Sequence, residues 1–509
     1  MSRTAHDVAP GPPLSRVPVS ALLVALAGLG AGILAAGISY DDAWITYRYA
    51  YNLAAGDGFV YNTGERVFGT SAPGYALVLA LLSLPNPEWV PTVSAGLCVL
   101  SLVACGAAFA TFGTLRGSTL AGVVAGLVFV VNPLALEAFS GEMVPQAALA
   151  LWAATLFVLD RPGLATACGV AATMLRPDGL LVLAVVLGAQ VWRERRVPLV
   201  RLAVSAAVLA AWFGALWIVV GSPLPDTLAA KQAQRISGLW RPLGSDMLFW
   251  LLSLTTHPTA WFPPRPQPGF TTFLAVAAAG LALLPFRRRW LLLAAWPVIA
   301  MVAYRQMRLP FFHWYLLPPL VLLALGAGLA ADGLARAIDA ARRRFRGASV
   351  EPPRPSALVA WAVGAIVLLV TAVPMARTAW LQRASRPHAG ERAYIAIGQW
   401  LARETPPDAT VGYLEVGFIG YYSRRHIVDP LGLVSPGAAE AIARRDFLHT
   451  YRTRRPDVIL HQPVFYPEYL GIVVDQPWFK AEYRAVATLP SGRTQPITVY
   501  RRTLERGAN

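Results

Sequence analysis

Long apolar runs alternate along the chain with short polar connections. A membrane span needs about 20 apolar residues, or fewer where a helix breaks inside protein. Eleven segments qualify: 20–38, 92–112, 119–137, 144–160, 164–175, 179–193, 199–220, 268–286, 290–304, 313–331 and 356–376. The pair 164–175 and 179–193 is short, and Arg176-Pro177 between them would stop a continuous helix. Two half-length helices meeting at a polar elbow are predicted there. No internal repeat is visible.

The pattern changes near Pro387. An amphipathic helix from Glu391 to Glu404, a strand from Ala409 to Glu415, a helix from Ala438 to Arg452 and a strand from Asp457 to Leu460 are predicted. Two late strands follow, around Val486 and at Ile497–Tyr500. A tail of about 130 residues can bury a core of its own. The predicted fold class is an α-helical polytopic membrane protein of eleven transmembrane helices with a C-terminal extracytoplasmic α/β domain. Its parts are a cytoplasmic segment 1–19, a transmembrane module 20–376 containing a first outer loop 39–91, and the tail 377–509.

Composition agrees. Of 509 residues, 56% are hydrophobic and 14% charged, against about 25% charged in soluble proteins, which excludes a soluble globular enzyme. Gly and Pro are unpatterned, and Cys98, Cys105 and Cys168 lie in apolar runs, so collagen and a disulfide scaffold are excluded too. The net charge of +16 would suggest nucleic acid, but the arginines sit between apolar segments, so no nucleic-acid partner is expected. With the N-terminus inside, the inner connections hold 17 basic residues in 64 positions and the outer ones 9 in 117. That bias places the N-terminus in the cytoplasm and, with eleven spans, the tail outside. No small-residue cleavage site follows the first apolar run, so no cleavable signal is expected.

The first outer loop opens with Asp41-Asp42 at the exit of the first span. Adjacent like charges repel, so a pair suits a place with a cation, a metal or a hydroxyl awaiting deprotonation opposite. An N-cap would account for one of the two. Trp44, Tyr47 and Tyr51 then recur at helical spacing, which predicts an amphipathic helix lying in the membrane interface. Polar, aromatic turns follow in Gly56–Asn62 and Gly64–Gly74, leading into an apolar helix that starts at Pro73.

The string DDAWITYRYAYNLAAGDGFVYNTGERVFGTSAPG resembles the first outer loop of GT-C superfamily glycosyltransferases, particularly the bacterial branch that includes the mycobacterial terminal arabinofuranosyltransferases. Ser140-Gly141-Glu142-Met143, Arg176-Pro177-Asp178-Gly179, the stretch Leu224 to Lys231, Pro406-Pro407-Asp408-Ala409 and Gly420-Tyr421-Tyr422-Ser423 agree in order along the chain. The resemblance implies transfer of a sugar from a polyprenyl-phosphate donor to a glycan, lipid or protein acceptor outside the membrane. It implies a general base at Asp41, with Asp42 at the second acidic position, and a pentofuranose such as arabinofuranose as the sugar, with mannose, aminoarabinose-like sugars and hexoses left open. Phe68 stands where Glu commonly follows the Arg-Val pair of that branch, and the tail is short for it.

The chemistry of the residues leads to the same roles. Displacement at an anomeric carbon needs a base for the nucleophile and fixed positive charge for the departing phosphate. Outward-facing cations are Arg176, Lys231, Arg305 and Arg308; Lys231 is one of only two lysines in the chain. Tyr47, Arg48, Glu65, Glu142 and His313 are candidate substrate-binding side chains. Glu142 could join the acidic loop around a divalent cation, and His257 or His313 could bind a metal or a phosphate, but no dedicated metal motif is present. The tail histidines form no visible triad, Gly417–Gly420 is too short for a phosphate loop, and an acceptor-binding tail is expected. A transporter or lipid flippase, or an inactive scaffold on the same fold, are the competing readings. The absence of repeats speaks against transport, and the intact acidic pair against a scaffold.

Overall fold

A computed structural model describes residues 18–239, 268–310, 312–346, 355–384, 386–463, 467, 470–492 and 495–503. His257 lies outside the described residues. The chain begins with helices α1 (Val19–Ala35), α2 (Asp41–Ala55), α3 (Pro73–Leu82), α4 (Val90–Leu115), α5 (Thr119–Val130), α6 (Pro133–Glu137), α7 (Met143–Val158), α8 (Pro162–Leu175), α9 (Leu180–Glu194), α10 (Leu199–Val220) and α11 (Thr227–Ile236). Helices α12 (Pro268–Leu281), α13 (Leu291–Gln306), α14 (Leu317–Phe345) and α15 (Ala357–Ala384) complete the bundle.

Ten of the eleven predicted spans each fall on one of these helices, whereas the span predicted over 119–137 is two, α5 and α6, because Asn132 caps a new helix that opens at Pro133. The chain is a multi-pass membrane protein. Five described stretches are long and apolar enough to cross a membrane alone: Pro87–Leu115, Leu199–Val220, Gly269–Phe286, Trp314–Phe345 and Ala357–Leu381. Outward-facing Val200, Trp217 and Ile218 on α10 are exposed, as a lipid-facing surface requires. Inside the bundle small residues let backbones meet. A Cβ at Gly280 would stand 1.7 Å from the Gly326 carbonyl oxygen.

The elbow forms as expected, with a single 3-10 turn at Pro177–Gly179 between α8 and α9. The span predicted to end at 331 instead continues as α14 to Phe345. Arg336 and Arg343 pair one turn back with Asp332 and Asp339, at 2.7 and 2.5 Å, which keeps the polar extension helical.

The tail comprises α16 (Ala389–Glu404), β1 (Thr410–Gly412), α17 (Val416–Ser423), β2 (His426–Val428), α18 (Ala438–Ala443), α19 (His449–Arg454), β3 (Val458–His461), α20 (Pro477–Glu482), β4 (Tyr483–Leu489) and β5 (Ile497–Arg502). Its sheet runs β2-β1-β3-β5-β4. Strand β1 is parallel to β2 and β3, with Val411 opposite Ile427 and Val458, and β5 is antiparallel to β3 and β4. The single helix predicted over Ala438–Arg452 is two helices, because the chain turns through a left-handed residue at Arg445 (φ 67°). The predicted strand at Ala409–Glu415 is shorter, since the chain leaves it for α17, an element the periodicity did not suggest.

Helix α2 differs most from expectation. It is buried on nearly all sides rather than lying at the interface, with Trp44, Ile45, Tyr47, Arg48 and Tyr49 all enclosed. The tail covers it: Trp44 packs against Phe418, Tyr421 and Tyr422. One apolar core joins Trp44, Tyr49 and Tyr61 of the loop to Val411, Phe418, Ile427, Val458 and Val499 of the tail. Loop and tail therefore fold as one layer on one face of the bundle.

Candidate functional site

The two aspartates occupy the first turn of α2, and the helical rotation between neighbours sends them in different directions. Asp41 turns to the tail. Its two carboxylate oxygens accept from the backbone N–H groups of Gly417 and Phe418, both at 2.8 Å, at the N-terminus of α17. Burial, with the negative charges of Asp42 and Asp429, outweighs those two hydrogen bonds and pushes the Asp41 carboxyl up to about 7.

Asp42 turns to the bundle, with its side chain 29% exposed and Oδ2 3.5 Å from Lys231 Nζ. Lys231 is buried on α11, its ammonium 4.7 Å from the Phe312 ring centroid and 5.4 Å from that of Trp314. Phe312 stacks on Trp314, and Trp314 on Tyr40, which immediately precedes the acidic pair. The ring faces favour a cation and flank the ammonium beside its carboxylate. Burial raises the Asp42 carboxyl above its ordinary value; Lys231 pulls it down, and nearby Glu142 and Arg176 act in opposite senses.

Next to this pair lies a second polar cluster. Arg176 at the elbow is buried, donates from Nε to both oxygens of Asp178 at 3.0 and 3.1 Å, and pairs through Nη1 with Glu142 at the start of α7. Its Nη1 also reaches Ser71 Oγ at 3.4 Å. Asp178 accepts from Tyr304 at 2.6 Å and Gln146 at 2.7 Å. Buried charges persist where partners satisfy them, and here two carboxylates from two connections surround one guanidinium. The broken helix is what frees the elbow to supply Arg176 and Asp178 together.

The other predicted residues separate. Arg48, expected at the substrate, is spent on the tail: it donates to the carbonyls of Gly420 at 2.9 Å and Arg425 at 2.7 Å. Glu65 accepts from Asn62 at 3.0 Å and pairs with Arg454 and His426. Burial would raise its carboxyl, but these partners outweigh it and hold it at about 2. Tyr47 is buried, its hydroxyl 2.5 Å from the Ser140 carbonyl and 2.8 Å from Ser94 Oγ, where it braces the floor of the site. Arg305 and Arg308 are exposed, and among the described contacts neither is tied to Asp42, Glu142 or Asp178. His313 opens the turn His313–Leu316, and its side chain lies outside the described set.

Among the described residues no three His, Cys, Asp or Glu side chains converge as a metal cage. Asp42 and Glu142 each face a cation of the chain itself. Asp178, Tyr304, Gln146 and Tyr40 belong to the site and were not predicted. Asp178 sat in the quoted elbow motif, where its spacing to Arg176 was the available signal.

Similarity to known proteins fits this arrangement. Residues 381–503 match a family described as a domain of unknown function (DUF8728). No curated protein matches the sequence. Among solved structures, the chain is similar to ArnT from Cupriavidus metallidurans bound to undecaprenyl phosphate, at 14% identity and TM-score 0.58, over 95% of this chain and 97% of that one. It is also similar to the oligosaccharyltransferase AglB from Archaeoglobus fulgidus in complex with an inhibitory peptide and a dolichol-phosphate, at 13% identity and TM-score 0.55, over 87% of this chain and 69% of that one. The chain has the GT-C fold. The GT-C likeness to ArnT takes in the bundle and the tail together, and at these identities it is a likeness of fold.

Proposed function

We propose that this GT-C protein is a membrane glycosyltransferase that moves a sugar from a polyprenyl-phosphate donor to a hydroxyl of a glycan, lipid or protein acceptor on the extracytoplasmic face. The observation that carries the reading is the pairing of Asp42 with buried Lys231 beside the Arg176 cluster, on the face where the first loop and the tail meet. Asp42 is the general base. Asp41, the first candidate by resemblance, has both oxygens engaged by α17, whereas Asp42 is accessible and faces the cations.

In the reaction the acceptor oxygen forms a bond to the anomeric carbon as the bond from that carbon to the phosphate oxygen breaks. The acceptor proton passes to Asp42, and polyprenyl phosphate leaves against Lys231 and Arg176. Direct displacement with one base inverts the anomeric centre. Support for a polyprenyl-phosphate donor comes from the fold, since ArnT and AglB are solved with undecaprenyl phosphate and dolichol-phosphate. The exposed apolar flank of α10 suits the lipid chain. The loop's resemblance to terminal arabinofuranosyltransferases makes a pentofuranose the first sugar to test, and the packing of the tail on the first loop supports a role for it in receiving the acceptor.

The test uses the full chain in nanodiscs with a panel of polyprenyl-phosphate sugars and membrane acceptor extracts, following release of polyprenyl phosphate. Donor-specific release in the wild type that is lost in Asp42→Asn supports the reading. Release with no donor in the panel, acceptors included, would leave the inactive-scaffold or transporter reading in its place.

A further inference from the structure

The proposed roles of Asp42 and Lys231 conflict in the structure as it stands. Lys231 cannot neutralise a departing phosphate while its ammonium is held by Asp42, and Asp42 is a poorer base while a cation lies against it. We propose that Asp42 and the donor phosphate compete for Lys231, so that the donor must bind before the base is released. This inference rests on the glycosyltransferase reading and adds an order of events to it.

Three features carry it. The Asp42–Lys231 separation of 3.5 Å is loose compared with about 2.7–2.9 Å for a strong charge-assisted bond, so a phosphate oxygen can better it. The helix carrying Lys231 is fixed at both ends of the contact: Gln232 donates to the Met307 carbonyl at 3.1 Å and Gln234 to the Leu431 carbonyl at 2.7 Å. Exchange of partner therefore falls to the flexible lysine stem, pivoting between the Phe312 and Trp314 rings.

Arg176 is the contrasting case. Its guanidinium is committed to Glu142, Asp178 and Ser71, so it cannot change partner. The site thus holds one immobile cation and one that can be handed over. When the phosphate takes Lys231, Asp42 loses its counter-ion while Glu142 stays nearby, and its affinity for the acceptor proton rises. An acceptor arriving first meets a carboxylate already occupied.

The experiment is a binding cycle on the full chain in nanodiscs, with undecaprenyl phosphate as the probe and wild type, Asp42→Asn, Lys231→Met and the double variant compared. Asp42→Asn should bind the lipid phosphate about three- to tenfold more tightly than wild type, because the competitor for Lys231 is gone. Lys231→Met should bind more weakly, and in that background Asp42→Asn should change nothing. Equal tightening by Asp42→Asn with or without Lys231 would mean a general field effect and would overturn the proposal, as would unchanged or weaker binding by Asp42→Asn alone. Lys231→Gln serves the same arm if the Met variant does not fold. Turnover separates the two levels: full activity in Asp42→Asn would remove Asp42 as base, whereas lost activity with no tightening would remove only the competition.

Discussion

Asp41 closes the N-terminus of α17, and Gly417 is what lets it come so near. A Cβ at Gly417 would stand 1.8 Å from the Asp41 carbonyl oxygen, so only glycine permits the two helices to touch there. Gly417→Ala is therefore expected to push the tail off the first loop. Limited proteolysis should cut the variant between bundle and tail under conditions that leave the wild type whole, and sugar transfer should fall with it. A variant that resists protease like wild type would show that the contact tolerates more space than its geometry allows.

The two aspartates should differ in kind. Asn offers one acceptor oxygen where Asp41 uses two, so Asp41→Asn should loosen the docked tail and keep transfer within about tenfold of wild type, while Asp42→Asn should lose about 10²–10⁴-fold through loss of the base. The Asp41 carboxyl is raised from 3.8 to about 7, so its contribution to docking is full below pH 3.8 and is lost as pH rises through about 7. Thermal stability of the wild type should accordingly fall between about pH 4 and 7 relative to Asp41→Asn. Identical pH trends in the two proteins would show that Asp41 is not the titrating group.

Transfer should also fail early on the acid side. Burial raises the Asp42 carboxyl above its ordinary value, so the ionised base disappears as pH falls through that raised value, above the usual carboxylate range near about 4. The acid limb of kcat/KM for the donor, which reports the donor-free protein, reads this. A limb below pH 4 would contradict an elevated base.

Tyr304 tests the second cluster without removing a charge. Its hydroxyl donates to Asp178 at 2.6 Å, and Asp178 orients Arg176. Tyr304→Phe should cost about 1–2 kcal/mol of this network and lower kcat/KM for the donor by about tenfold. Lys231 remains in place, so residual donor binding should persist. An unchanged kcat/KM would mean that Glu142 alone positions the arginine.

Glu65 is the acid-resistant anchor of the tail. With its carboxyl held at about 2 by His426, Arg454 and Asn62 against the opposing effect of burial, its contribution is present above the unfolded value of 4.5 and lost as pH falls toward 2. Glu65→Gln should make the tail protease-sensitive at pH 5, where the wild type stays docked. Equal resistance in both would mean that Arg48 and Asn62 suffice.

Much of the bundle was legible because lipid demands long apolar runs, and even the broken α8–α9 pair announced itself through Arg176-Pro177. The acidic pair stood out as adjacent carboxylates at the exit of the first span. Its division of labour was not legible, since the direction of each carboxylate is decided by Gly417 and Lys231, far away in sequence. Helix α17 was hidden for a related reason: Gly417 and Gly420 are poor helix formers, and their value lies in the close approach to Asp41 of α2 and to Tyr61. Tyr304 gave no signal because it ends an apolar span like any interfacial tyrosine. Arg48 and Glu65 looked like substrate ligands because a charged loop residue reads the same whether it meets a sugar or a neighbouring domain.

The bond from Asp41 to Gly417 joins residues 376 positions apart. At roughly 5–20 residues per second of synthesis, the acidic helix emerges about 20–75 s before the backbone that fixes it has been made. During that interval the first loop has neither its cap nor its apolar cover. Maturation of the site is thus timed by synthesis of the tail: a chain cut short before Gly417 can enter the bilayer with its first loop still unassembled.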